Sequence, residues 1–84
     1  NNLEKMMIKL YSTSWCPYCR NAKRLLSDRG LEFEDINIED KGWSRDDLFE
    51  VTGGRTVPQI IINDKNIGGY DDLLILDKAG NLDT

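Results

Sequence analysis

The spacing of apolar residues along the chain switches between two and three-to-four, and each switch marks an element. Met7-Ile8-Lys9-Leu10-Tyr11 alternates and reads as a short strand. Ser12 to Trp15 then forms a turn. Pro17 follows, and proline suits the first position of a helix. From there Cys19, Ala22, Leu25 and Leu26 recur at helical spacing, with Arg20, Lys23 and Arg24 on another face and Gly30 as a stop. Residues 31–38, Leu31 to Ile38, alternate apolar with polar and predict a second strand. Ser44 with Asp47 three positions on resembles an N-cap, leading a helix whose stripe includes Leu48 and Val51 and which stops at Gly53-Gly54. Gln59-Ile60-Ile61-Ile62 is a β-branched strand, Asn63 to Asn66 a hairpin turn, and Ile67 a brief return strand. Asp71 or Asp72 caps a last helix carrying Leu73, Leu76 and Ala79. The order β-α-β-α-β-β-α predicts an α/β domain, a mixed sheet with helices on both faces.

Composition narrows what such a domain does. At 84 residues there is room for one domain, burying about 60% of its unfolded surface. Asn1 to Lys5 reads as a tag remnant or leader and 6–84 as the domain, with Met6-Met7 the first plausible start. No apolar run approaches the roughly 18 residues of a membrane span, and no secretory signal is evident. A net charge of −4 argues against nucleic acid as a partner, since that affinity rests on Lys and Arg. The charge is uneven: residues 1–29 hold six basic and two acidic side chains, and the remainder five and thirteen.

The two cysteines, Cys16 and Cys19, lie in the basic part as Cys-Pro-Tyr-Cys. As a structural disulfide they would close a loop of four residues, which stabilises by only about 2 kcal/mol. As a zinc site they would supply one pair of ligands in a chain with no histidine. As inert core thiols they would need no motif. A dithiol redox centre fits the context better. Cys16 stands just before a helix start, where unpaired N–H groups favour an anion, and Cys19 lies one turn in on the apolar stripe. A free thiol is about 3% thiolate at pH 7. A helix N-terminus with cations nearby lowers the thiol pKa into the range of about 3.5 to 7.5. The expectation is an exposed, activated Cys16 and a screened Cys19.

With these motifs in register the chain resembles the glutaredoxin family. Cys16-Pro17-Tyr18-Cys19 matches its dithiol motif, Thr56-Val57-Pro58 its T-V-P segment with a cis proline, and Gly68-Gly69-Tyr70-Asp71-Asp72 its G-G-x-D/S-D motif. Leu76-Asp77-Lys78-Ala79-Gly80-Asn81-Leu82 is similar to the tail of the short bacterial class called glutaredoxin three. The resemblance implies a thioredoxin fold of four strands and three helices. It implies a glutathione-dependent thiol–disulfide oxidoreductase that reduces protein–glutathione mixed disulfides through Cys16 and protein disulfides through Cys16 and Cys19. Glutathione is then reductant and bound cosubstrate, with no metal. Tyr18, Thr56, Val57 and Pro58 line its groove, and Gly69, Tyr70 and Asp71 take its γ-glutamyl end. Thr-Val-Pro as an ordinary start of a strand and Asp71 as a plain N-cap remain open beside these roles.

The expected partners are glutathionylated or disulfide-bonded proteins, ribonucleotide reductase among the candidates, met by a cytoplasmic monomer. Thr13 stands where many relatives carry Lys or Arg for the glycyl carboxylate, leaving Lys9, Arg45 and Arg55 as substitutes. Tyr70 stands where many have cysteine. Trp15 before Cys16 is shared with thioredoxins, which keeps a disulfide reductase served by thioredoxin reductase as the alternative. An iron–sulfur carrier is a third reading, opposed by Pro17 beside the ligand cysteine.

Overall fold

A computed structural model describes residues 7–80. The segment read as a leader, and Asn81-Leu82 of the tail motif, lie outside the described residues. Seven elements follow in the expected order: β1 Ile8–Ser12, α1 Pro17–Asp28, β2 Glu34–Asn37, α2 Arg45–Thr52, β3 Gln59–Ile62, β4 Lys65–Gly68 and α3 Tyr70–Lys78. The sheet order is β2-β1-β3-β4, with β1–β2 parallel and the other two pairs antiparallel. This is the mixed sheet of a thioredoxin-like fold.

Period-two geometry divides the core between the faces of that sheet. Ile8, Leu10, Ile60 and Ile62 point to one face, against Ala22 and Leu26 of α1 and Leu73 of α3. Tyr11 points to the other, against Ile38 and Leu48 of α2, where its ring stacks on Trp43 with centroids 5.8 Å apart. At the far end of the helices, the Arg29 guanidinium grips both oxygens of Asp77 at 2.5 and 2.7 Å, tying α1 to α3.

Several details depart from the sequence reading. The strand expected over 31–38 pairs only over Glu34–Asn37, because β1 offers only Lys9–Ser12 as partner. Leu31 and Phe33 instead pack on the core from the loop. The hairpin turn is two residues rather than four. Asn63 and Asp64 both take positive φ, 52° and 68°, which these side chains tolerate and a tight hairpin favours. The polar Lys65-Asn66 therefore belongs to β4, the edge strand. In α2 the capping box forms as expected: Ser44 Oγ accepts from the Asp47 N–H at 3.2 Å and Asp47 returns the bond to the Ser44 N–H at 2.9 Å. Its buried positions are Leu48 and Thr52, while Val51 is exposed; the Thr52 hydroxyl is satisfied by donating to the Leu48 carbonyl at 2.8 Å. In α3 the N-cap is Gly69, not Asp71 or Asp72, and Ala79 is an exposed C-cap outside the apolar stripe.

Candidate active site

The C-terminal ends of β1, β2 and β4 and the N-terminal end of β3 lie at one end of the sheet, and the chemistry-bearing motifs lie there. β1 delivers Cys16 to the start of α1. Cys16 is itself the N-cap: its Sγ accepts the Cys19 N–H at 3.4 Å, so a group able to carry negative charge meets an otherwise unpaired helix amide. Its thiol also faces the Val57 carbonyl, to which it donates at 3.6 Å. That contact corrects one expectation. Cys16 is 6% exposed, because the loop bearing Val57 packs over its sulfur, and Cys19 is 1% exposed. The two thiols are unbridged. Burial pushes the Cys19 thiol up to about 12, against a hydrogen bond from the Thr13 backbone; the hydrogen bond and charge of Cys16 raise it further, and Lys23 opposes them. Lys23 is in turn paired with Asp35 at 2.7 Å.

The loop over Cys16 is shaped from beneath. Gln59, buried, donates from Nε2 to the Thr56 carbonyl at 2.8 Å and receives Asn66 Nδ2 at 3.2 Å. Asn66 also donates to the Thr52 carbonyl. A Cβ on Gly54 would run into the amide end of the Gln59 side chain, so a larger residue there displaces that amide from its bonds to Thr56 and Asn66. The Val57–Pro58 peptide is cis, as the family resemblance implies.

Beside this loop opens a cleft of about 280 Å³ lined by Tyr18, Thr56, Val57, Pro58, Gly69, Tyr70, Asp71 and Asp72. It brings together every residue that the resemblance suggested for a glutathione groove. Tyr18 from α1 and Tyr70 from α3 face each other across it as a tilted ring pair, centroids 6.5 Å apart. Asp72 completes the wall, and the sequence reading gave it only a capping choice. It does cap: its carboxylate accepts the Gly69 N–H at 3.1 Å from the third helical position. Asp71 is thereby relieved of that task and stays exposed on the cleft. Gly68, with φ 109°, leaves the space that the Asp72 carboxylate fills. At Gly69 an added Cβ would meet only the Pro58 carbonyl, at 3.5 Å, so packing within the protein does not demand glycine there.

The cations suggested as substitutes for Thr13 separate clearly. Thr13 is buried, and Lys9 lies toward the opposite end of β1. Arg45 and Arg55 stand together next to Thr56: Arg45 Nη1 donates to the Arg55 carbonyl at 2.9 Å, and the Arg55 guanidinium covers the Phe49 ring at 4.1 Å. Among the described residues no cluster of three or more His, Cys, Asp or Glu side chains is arranged to hold a metal ion. No helix among them is long and apolar enough to cross a membrane.

Comparison with known proteins gives these features a lineage. The glutaredoxin family model matches residues 8–67. The chain is 45% identical over 76 residues to a glutaredoxin of Pseudomonas aeruginosa, covering 90% of each chain. It is 42% identical over 76 residues to glutaredoxin 3 of Escherichia coli, covering 90% of this chain and 92% of that one. Among solved structures, the buckwheat glutaredoxin–glutathione complex superposes with a TM-score of 0.81 at 30% identity, over 92% of this chain and 73% of the other. Glutaredoxin from Brucella melitensis gives a TM-score of 0.78 at 39% identity, over 94% and 87%. With a dithiol at a helix start, a cis proline beside it and 45% identity to a glutaredoxin over 90% of the chain, the protein belongs to the glutaredoxin family and is a thiol–disulfide oxidoreductase.

Proposed function

We propose that the oxidoreductase is glutathione-dependent, reducing protein–glutathione mixed disulfides through Cys16 alone and protein disulfides through Cys16 and Cys19. One juxtaposition supports this above all. The Cys16 sulfur contacts the Val57 carbonyl, and Val57 is a wall of a cleft sized for a small peptide and rimmed by two tyrosines and a helix N-terminus. The first N–H groups of α3 favour a carboxylate, and exposed Asp71 offers an acceptor for an ammonium group, as an α-amino acid end requires. For the opposite, carboxylate end the candidates are Arg45 and Arg55, which adjoin the cleft residue Thr56; Arg55 is also bonded to Asp46 at 3.3 Å, an exposed pair that a ligand carboxylate would have to displace.

The chemistry follows from exchange at sulfur. The Cys16 thiolate attacks the glutathione sulfur of a mixed disulfide; a Cys16–glutathione bond forms, the old S–S bond breaks, and the released protein thiolate takes up a proton. A second glutathione thiolate then attacks the glutathione sulfur, freeing Cys16 and leaving glutathione disulfide. Cys19 provides the other exit by attacking Cys16 and expelling glutathione. In the resting protein Cys19 stays a thiol, chiefly because it is buried, with the hydrogen bond and charge of Cys16 acting in the same direction.

A coupled NADPH assay decides the reductant. Glutathione with glutathione reductase sustains turnover of a glutathionylated substrate. If thioredoxin reductase alone sustains it, the glutathione reading is wrong and the thioredoxin-like alternative stands. Protein partners such as ribonucleotide reductase, and a cytoplasmic setting, belong to the same proposal.

A further inference from the structure

Trp15 is an exposed indole held in place. It is 60% exposed and immediately precedes Cys16. Its Nε1–H donates to Glu39 Oε2 at 3.1 Å, while the other Glu39 oxygen accepts the Ser14 N–H at 3.1 Å. Glu39 is itself anchored: its N–H donates to Asn37 Oδ1 at 2.8 Å, and Asn37 Nδ2 donates to Ser14 Oγ at 2.8 Å. Asn37 at the end of β2 and Glu39 just beyond it thus bracket the turn before the nucleophile and fix the angle of a ring that makes little use of burial. The sheet order puts this bracket on the β2 side of Cys16, while the cleft occupies the β3, β4 and α3 side.

We propose that Trp15, positioned by Glu39, is the contact for the protein half of a glutathione mixed disulfide, so that the enzyme prefers protein-borne to small mixed disulfides. The proposal rests on the glutathione-dependent reading. With the glutathione moiety in a cleft of about 280 Å³, the rest of a protein substrate lies across the rim beside Cys16. The side of that rim left open by the cleft is the one that carries Trp15. A large aromatic surface is the usual anchor of a protein contact, and one already tethered by a charge-assisted bond loses less freedom on binding than a mobile one. The matching partner surface is an apolar or mixed patch next to the modified cysteine. Charge alone would not select it.

Two substrates separate the roles: a glutathionylated carrier protein and the mixed disulfide of glutathione with 2-mercaptoethanol, each assayed with glutathione and glutathione reductase. The readout is the ratio of kcat/KM for the protein substrate to that for the small one. Trp15→Ala lowers this ratio about tenfold, through KM for the protein substrate. Trp15→Phe, which keeps a ring but loses the tether, and Glu39→Gln, which leaves one of the two N–H donors without an acceptor, each lower it about threefold. Because Glu39 acts through Trp15, Glu39→Gln adds nothing to the ratio in the Trp15→Phe background. An unchanged ratio in Trp15→Ala overturns the proposal, and independent losses in the double variant overturn the role of Glu39. If wild type turns over both substrates only with thioredoxin reductase, the underlying reading fails as well, a result distinct from either.

Discussion

At the scale of single residues, the two cysteines differ by position more than by surroundings. Both are buried, yet Cys16 caps a helix and Cys19 lies within it. With its thiol pushed up to about 12, Cys19 is a poor nucleophile at neutral pH, and iodoacetamide at pH 7 labels Cys16 alone, as mass spectrometry of tryptic peptides will report. Cys19→Ser retains deglutathionylation, because free glutathione supplies the second thiol, and loses most reduction of intramolecular protein disulfides; Cys16→Ser loses both. Loss of deglutathionylation in Cys19→Ser would refute the single-thiol route. The two adjacent aspartates divide binding from stability in the same manner. Asp72→Ala removes the bond to the Gly69 N–H and costs about 1 kcal/mol of unfolding free energy. Asp71→Ala leaves stability nearly unchanged and raises KM for glutathionylated substrate at least about tenfold, the loss of a bond to a charged group. The identities of these residues and the separate jobs of the two thiols were legible in the sequence, but the burial of Cys16 and the division between the two aspartates were not. Which aspartate caps α3 depends on where β4 ends, and whether Cys16 is covered depends on a loop some forty positions away.

At the scale of elements, α1 and α2 were legible because their boundaries are written in local sequence, whereas the cap of α3 was misplaced. Pro17 opens α1, the Ser44–Asp47 box opens α2, and Gly53 with φ 85° closes it. The strands were less so, since a strand's length is set by its partner: the alternation from Leu31 to Ile38 exceeds what β1 can pair. The contact between α1 and α3 was not legible, because Arg29 and Asp77 lie 48 positions apart. Its hydrogen bond from Arg29 holds the Asp77 carboxyl below its ordinary value of 3.8, with the guanidinium charge assisting and desolvation opposing. A carboxylate whose pKa is depressed by folding stabilises the native state above its unfolded pKa, and that contribution fades as pH falls through the lower, folded value. Asp77→Asn therefore lowers the melting temperature relative to wild type at pH 6 to 7. The gap narrows steadily below pH 3.8 and closes in strong acid. A gap independent of pH would mean that the pair contributes through packing of the Arg29 stem instead of charge.

At the scale of the whole molecule, one thin sheet joins two cores and the active site sits at its end. Leu10 belongs to the core under α1 and α3, and Leu48 to the core under α2; both are wholly buried. A domain of this size has a total stability of order 5–15 kcal/mol, so neither core is large enough to stand when the other melts. The strands are shared: β1 sends Leu10 to one side and Tyr11 to the other, and β3 does likewise with Ile60 and Ile61. Unfolding is therefore expected to be a single cooperative transition. Leu10→Ala and Leu48→Ala each leave a cavity and cost about 2–5 kcal/mol. Trp43, stacked on Tyr11, reports the α2 side by fluorescence once Trp15 is replaced by Phe, while far-ultraviolet circular dichroism reports all three helices. Both probes should give one midpoint in each variant, shifted in the same direction wherever the cavity lies. A Leu48→Ala variant in which Trp43 melts ahead of the circular dichroism signal would show that α2 opens on its own. The loop from Thr52 to Pro58, which carries one wall of the cleft, would then be free to move apart from Cys16 without global unfolding.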